Sequence, residues 1–211
     1  GYTLGVFQFE SELMRRLLKQ VKPNCIQDLS AVTAGGRPGP LKSGIMEKFI
    51  KCKNGVEPIK YIIPECEDFM SETYGEMMYQ EQLMQMCKVY AGFTDSEADG
   101  ARKIVGKKLM SKMPELRESF INGAKKLNRD LEQAEELFDA IEKFGEYGFN
   151  LSHAICYSAL SYITAYYKTH YTIEFMTALL NSVTDDLDKL NLYYFVKILY
   201  LHFLKYHRLI L

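Results

Sequence analysis

The chain has 211 residues, 47% hydrophobic and 25% charged, with a formal net charge of −1. That length can bury one sizeable core, or one domain with an appendage, and the composition is that of an ordinary soluble globular protein, which excludes disorder over most of the chain. With so little net charge there is no global field to draw in a polyanion, so any anion site must come from local clustering.

The clustering runs in blocks. Residues 1–60 carry ten Lys and Arg against five acids, residues 61–100 carry nine acids against Lys88 alone, and Arg102 to Lys112, RKIVGKKLMSK, carries five cations and no acid. The five cysteines are scattered and never at C-x-x-C spacing, which argues against a disulfide framework and against a zinc site. A reducing, cytoplasmic compartment is expected. The opening GYTLGVFQFESE has an acid by position 10, where a secretory leader would need a basic and then an apolar region.

In chain order, FESELMRRLLKQ spaces Phe9, Leu13, Leu17 and Leu18 as on one helix face. GGRPGP at 35–40 reads as a stiff loop: each residue before a proline is pushed out of the helical region, so Arg37 would project from it, or would be the solvated residue of a plain connector. YIIP at 61–64 is the only strand-like run. MMYQEQLMQMCKVY reads as a helix with Met78, Leu83, Met86 and Val89 roughly on one side. Thr94 and Glu97 form a capping box opening a helix of about 95–105, with Gly106 as its left-handed stop. LEQAEELFDAIEKF is the clearest amphipathic helix. Gly148 ends one helix, and Asn150 or Ser152 starts the next, with His153 in its first turn. The expected architecture is mostly α: a compact multi-helix domain of about eight helices with one or two short strands. The tail LNLYYFVKILYLHFLKYHRLIL has a different texture, and as a membrane span its Lys197, Lys205 and Arg208 would each cost about 2.5 to 3.5 kcal/mol near the bilayer centre. A membrane partner is therefore not expected.

The basic run has two readings. Cations near a helix C-terminus offset its unpaired carbonyls by about 0.3 to 1 kcal/mol each. The same cations ending in a Gly turn can gather phosphate oxygens, Arg bidentately and Lys as a mobile point charge. Spacing alone leaves both open. The Tyr157, Leu160, Ser161 and Thr164 face reads as core packing rather than a base-stacking platform. Asp186 and Asp188 suit an N-cap, and no P-loop, catalytic triad or His-x-x-x-His is present. The pattern is built for binding, with no catalytic constellation of its own.

Five motifs then coincide in order: Gly5-Val-Phe-Gln-Phe-Glu-Ser11, Arg37-Pro-Gly-Pro-Leu41, Thr73-Tyr-Gly75 with Tyr79-Gln-Glu-Gln82, Ala98-Asp99 leading to Arg102-Lys-Ile-Val-Gly-Lys-Lys108, and Tyr147-Gly-Phe-Asn150 with Ser152-His153. Over roughly residues 3–190 this resembles the bacterial DNA polymerase III alpha subunits, the C-family replicative polymerases, in their fingers region. The resemblance implies that 1–20 is the end of the palm and entry to the fingers, 21–185 the helical fingers and 186–211 a divergent tail. It implies that Arg102 and Lys103 face the triphosphate of an incoming dNTP, with Lys107 and Lys108 extending the field. Arg37, Asn150, Ser152 and His153 would lie on the nucleotide and nascent-pair face, and Tyr79, Gln80 and Gln82 near the same cleft. It implies Mg²⁺ held by palm aspartates upstream of this segment, and as partners primer-template DNA, the palm and thumb, and a sliding clamp or other replisome subunits. The family usually has two arginines at 102–103 and a lysine at 151, where this chain has Arg-Lys and Leu. The competing readings are a nonenzymatic helical module that binds nucleic acid or protein, and a polymerase remnant without function.

Overall fold

The computed structural model describes residues 2–195; residues 196–211, most of the apolar and basic tail, lie outside the described residues. Capping side chains open several of the helices, at Thr94 and Asp186 as expected and at Asp130 in addition. Thr94 Oγ1 accepts from Glu97 N at 3.3 Å and the Glu97 carboxylate accepts from Thr94 N at 2.8 Å, opening α7 (Asp95–Gly106). Asp130 accepts from Gln133 N at 2.9 Å to open α9 (Leu131–Phe144), and Asp186 accepts from Lys189 N at 3.1 Å ahead of a helical stretch at 187–195.

The described residues divide into two compact units, Leu17–Ser158, and 2–16 with 159–195. The division falls within α1 (Glu12–Val21) and within α10 (Leu151–His170). In the larger unit α2 (Ile26–Gly35), a short α3 (Pro38–Ser43) and α4 (Ile45–Lys53) precede α5 (Glu67–Met70), α6 (Gln80–Ala91), α7, α8 (Met113–Lys126) and α9. Its main core is an aromatic and sulfur-rich cluster in which Leu83, Met86, Tyr90, Phe120, Leu137, Phe138, Ile141 and Phe144 are buried. Packing α6 directly on α8 requires glycine: a Cβ on Gly123 would stand 2.1 Å from the carbonyl oxygen of Ala91.

Around α2 and α4 the larger unit holds a feature that no motif announced. Asp28 is fully buried, and it meets Lys53 Nζ at 2.7 Å, Tyr74 OH at 3.2 Å and Asn24 N at 3.0 Å. Burial alone would raise the Asp28 pKa, but the lysine and the amide outweigh it and hold the carboxyl below its ordinary value.

The smaller unit is organised by α10 and α11 (Thr172–Asn181) around the Gly5 to Ser11 segment. Ser161 Oγ donates to Phe7 O at 2.8 Å, Phe7 N donates to Thr164 Oγ1 at 3.1 Å, and Lys168 Nζ donates to the carbonyls of Tyr2 and Leu4, each at 2.6 Å. Burial lowers the Lys168 pKa. Gly5 has φ +76, and a Cβ there would lie 2.5 Å from Leu179 Cδ2.

The mostly α architecture matches the expectation, and three local expectations are corrected. Tyr61 to Ile63 form no strand: the run leads directly into a 3-10 turn at Pro64–Cys66. Among the described residues the one bridge of β type is the isolated parallel pair Tyr79 and Phe149. Gly106 is not the left-handed stop of α7: Lys108 takes that conformation (φ 53), with Leu109 N donating to Ile104 O at 3.0 Å to close the helix end. The RPGP segment is not an open loop either. Arg37 is the extended residue before α3, whose first turn begins at Pro38.

Candidate anion-binding site

The site is built at the junction of α6 with α10. Gln80 N donates to Phe149 O at 2.8 Å and Phe149 N donates to Met78 O at 3.1 Å, so the segment before α10 is stitched to the start of α6. Glu81 seals the junction by accepting from Leu151 N at 2.9 Å and from Asn150 Nδ2 at 2.9 Å. A carboxylate there satisfies free amides at the positive end of α10. Asn150 Oδ1 in turn accepts from His153 N at 2.8 Å, making Asn150 the cap.

Gln82 and Tyr79 belong to the scaffold. The Gln82 side chain, 5% exposed, accepts from the amides of Met78 and Tyr79 at 2.8 and 2.9 Å and donates to Thr73 Oγ1 at 2.7 Å. All its capacity is used inside the protein. Tyr79 is buried, and burial pushes its phenol pKa up.

Gln80 points the other way. Its Oε1 accepts from Arg102 Nη1 at 3.3 Å, which joins α6 to the basic face of α7. Gly106 makes room for that side chain, since a Cβ at 106 would lie 3.2 Å from Gln80 Nε2. On α7 one carboxylate serves two cations: Asp99 Oδ1 receives Arg102 Nε at 2.8 Å and Nη2 at 2.7 Å, and Oδ2 receives Lys103 Nζ at 2.6 Å. Lys103 and then Arg102 hold the Asp99 carboxyl below its ordinary value. Lys107 and Lys108 are exposed past the end of α7, with no ion-pair partner among the described residues.

Arg37 approaches the same junction from α3. Its Nη2 donates to Tyr147 O at 2.8 Å and its Nε to Ala34 O at 2.9 Å, while the guanidinium lies 4.2 Å from the centre of the Phe149 ring. Phe149 meets His153 edge-on at 5.4 Å, and His153 stacks on Tyr157 at 4.0 Å. The expectation that Arg37 projects freely is therefore corrected: the guanidinium is half-buried because two carbonyls and a ring offer it partners, and burial lowers its pKa. Ser152 is exposed in the first turn of α10.

Contacts thus link Arg37, Phe149, His153, Gln80 and Arg102, with Lys103 joined through Asp99. Tyr79 and Gln82 lie inside, and Lys107 and Lys108 lie just past the end of α7. Sequence reasoning gave no role to Asp99, Glu81 or Phe149. For Asp99 a signal existed, because an acid three and four residues before two cations shares their helix face. For Glu81 and Phe149 no local signal exists, as their partners come from a distant segment. Among the described residues no group of three or more His, Cys, Asp or Glu could hold a metal ion. The described residues therefore form no carboxylate group that fits Mg²⁺. No described helix is long and apolar enough to cross a membrane.

Fold and site together define a helical module whose cations rim a braced helix junction. A family model of the bacterial DNA polymerase III alpha subunit finger domain matches residues 1–128. The chain is 46% identical over 192 residues to the DNA polymerase III subunit alpha of Aquifex aeolicus, covering 91% of this chain and 16% of that protein. It is 42% identical over 193 residues to the same-named subunit of Helicobacter pylori (92% and 16%) and 43% identical over 192 residues to that of Pseudomonas aeruginosa (89% and 16%). The chain therefore belongs to the bacterial DNA polymerase III alpha subunit family, in its finger domain. It spans 16% of the length of these relatives.

Proposed function

We propose that this chain is the fingers portion of a DNA-directed DNA polymerase and that its cationic rim binds the triphosphate of an incoming dNTP during replication. The observation that supports this most is the run of contacts from Arg37 through Phe149 and Gln80 to Arg102, which gathers four separated segments at one junction. In this reading Arg102 and Lys103 take phosphate oxygens, and Lys107 and Lys108 raise the local field. Preset donors of this kind stabilise charge that develops on the leaving pyrophosphate. Arg37, Asn150, Ser152 and His153 form the adjoining wall toward the nascent pair. Tyr79 and Gln82 act through the scaffold, and Gln80 by orienting Arg102.

Mg²⁺ and its aspartates would be supplied by the palm, and the segment alone is inactive. The remaining partners are primer-template DNA, the palm and thumb, and a sliding clamp or other replisome subunits. All five cysteines are free, and three of them are buried, which suits a reducing cytoplasm.

The test is triphosphate binding to the 211-residue chain. Arg102→Ala with Lys103→Ala removes charge-assisted bonds of about 1.5 to 3 kcal/mol each, so dATP affinity should fall at least tenfold and the salt dependence should flatten. Unchanged affinity in that variant overturns the phosphate role. Binding that grows with oligonucleotide length, with no affinity for free triphosphate, favours a plain nucleic-acid module instead.

A further inference from the structure

Asp99 does more than pair with its neighbours. An arginine clamps a phosphate through the edge formed by Nε and one Nη, and on Arg102 that edge already faces Asp99, at 2.8 and 2.7 Å. The third donor group of the fork, Nη1, is turned to Gln80 at 3.3 Å. The second oxygen of the same carboxylate holds Lys103 at 2.6 Å. Both cations expected to take phosphate are therefore engaged by one resident anion. The cluster remains open to solvent, with side-chain exposures of 29% for Arg102, 35% for Asp99 and 57% for Lys103.

We infer that Asp99 is a resident counter-anion that an incoming polyphosphate must displace, and so a positioning residue that sets the charge threshold of the site. This rests on the proposed phosphate role of Arg102 and Lys103. In the absence of ligand the paired carboxylate keeps the guanidinium ordered against Gln80 and prevents both cations from gripping weak anions. A ligand of low charge gains too little from Arg102 and Lys103 to offset the lost pairing. A triphosphate presents several oxygens at once, recruits the exposed Lys103 first, and then exchanges with Asp99 at the guanidinium edge. Selection against monophosphates and against stray backbone phosphates follows from that competition.

The experiment measures binding of inorganic tripolyphosphate, dATP and dAMP to the 211-residue chain across a salt series, for the parent, Asp99→Asn, Asp99→Glu, Arg102→Ala and the double variant Asp99→Asn with Arg102→Ala. Far-UV circular dichroism and melting midpoints verify that each is folded. Asp99→Asn should bind tripolyphosphate about three- to tenfold more tightly, with a steeper salt slope and a reduced preference for dATP over dAMP. Asp99→Glu keeps the anion and should stay near the parent, which a merely structural role for the amide-sized side chain would not produce. The gain from Asp99→Asn should vanish in the background of Arg102→Ala. If Arg102→Ala weakens binding while Asp99→Asn leaves affinity and slope unchanged or lowers them, the counter-anion role is overturned and the phosphate role stands. If Arg102→Ala leaves binding untouched, the phosphate role itself falls.

Discussion

The guanidinium of Arg37 lies 4.2 Å from the centre of the Phe149 ring and donates to the carbonyl of Tyr147, so a residue preceding α3 is fastened to the segment that begins α10. Arg37→Ala leaves the carbonyls of Ala34 and Tyr147 without their charged donor and uncovers the ring. A loss of about 1.5 to 3 kcal/mol in urea unfolding is expected. Arg37→Lys should recover only part of it, because an ammonium cannot serve both carbonyls and the ring face in one geometry. Full recovery by lysine would show that charge alone matters at this position.

Asp28 makes the fold acid-sensitive. Its folded pKa lies below the unfolded value, so its contribution to stability is fully present above about pH 4 and is lost as pH falls through the lowered folded value. Denaturant midpoints measured between pH 7 and pH 2.5 should fall in that acid window, and Asp28→Asn should remove part of the dependence. At neutral pH Asp28→Asn strands Lys53 in the interior and should cost about 3 to 5 kcal/mol. A pH profile identical to the parent's would mean that this carboxyl is not linked to folding.

Gly123→Ala tests the crossing of α6 on α8. The added methyl would meet the Ala91 carbonyl oxygen at 2.1 Å, a backbone atom that cannot step aside without moving a helix. A loss of about 1 to 3 kcal/mol is expected in spite of the better helix propensity of alanine. Glycine at 100 meets nothing within 4 Å of the same added methyl, so Gly100→Ala is the control and should be neutral or stabilising.

Gly106→Ala separates stability from function. Alanine favours the last turn of α7 by up to about 1 kcal/mol, yet its methyl would crowd Gln80 Nε2 at 3.2 Å and shift the oxygen that receives Arg102. The melting midpoint should hold or rise, while dATP affinity should fall by about two- to fivefold. Equal affinity would mean that Gln80 does not set the aim of Arg102.

Helix starts and stops were legible where the signal is local. The Thr94 and Glu97 box, the Asn150 and Asp186 caps, and the apolar face of α9 all depend on residues within four positions of each other, and the structure shows each. The basic block on α7 was legible as a block, since a run of cations without acids needs no neighbour to be recognised. The end of α7 was not: the left-handed residue is Lys108 rather than Gly106, beside which Gln80 packs.

The sequence by itself thus determined a helical chain, its main helix boundaries and its cationic segment, because capping, periodicity and charge runs act over one or two turns. Only the tertiary structure decided that Arg37 is fastened to Phe149, that Gln82 is interior while Gln80 faces Arg102, that Asp28 is buried against Lys53, and that Glu81 seals the start of α10. Those pairings join residues far apart in the chain, and their energies arise only once the helices that carry them have packed.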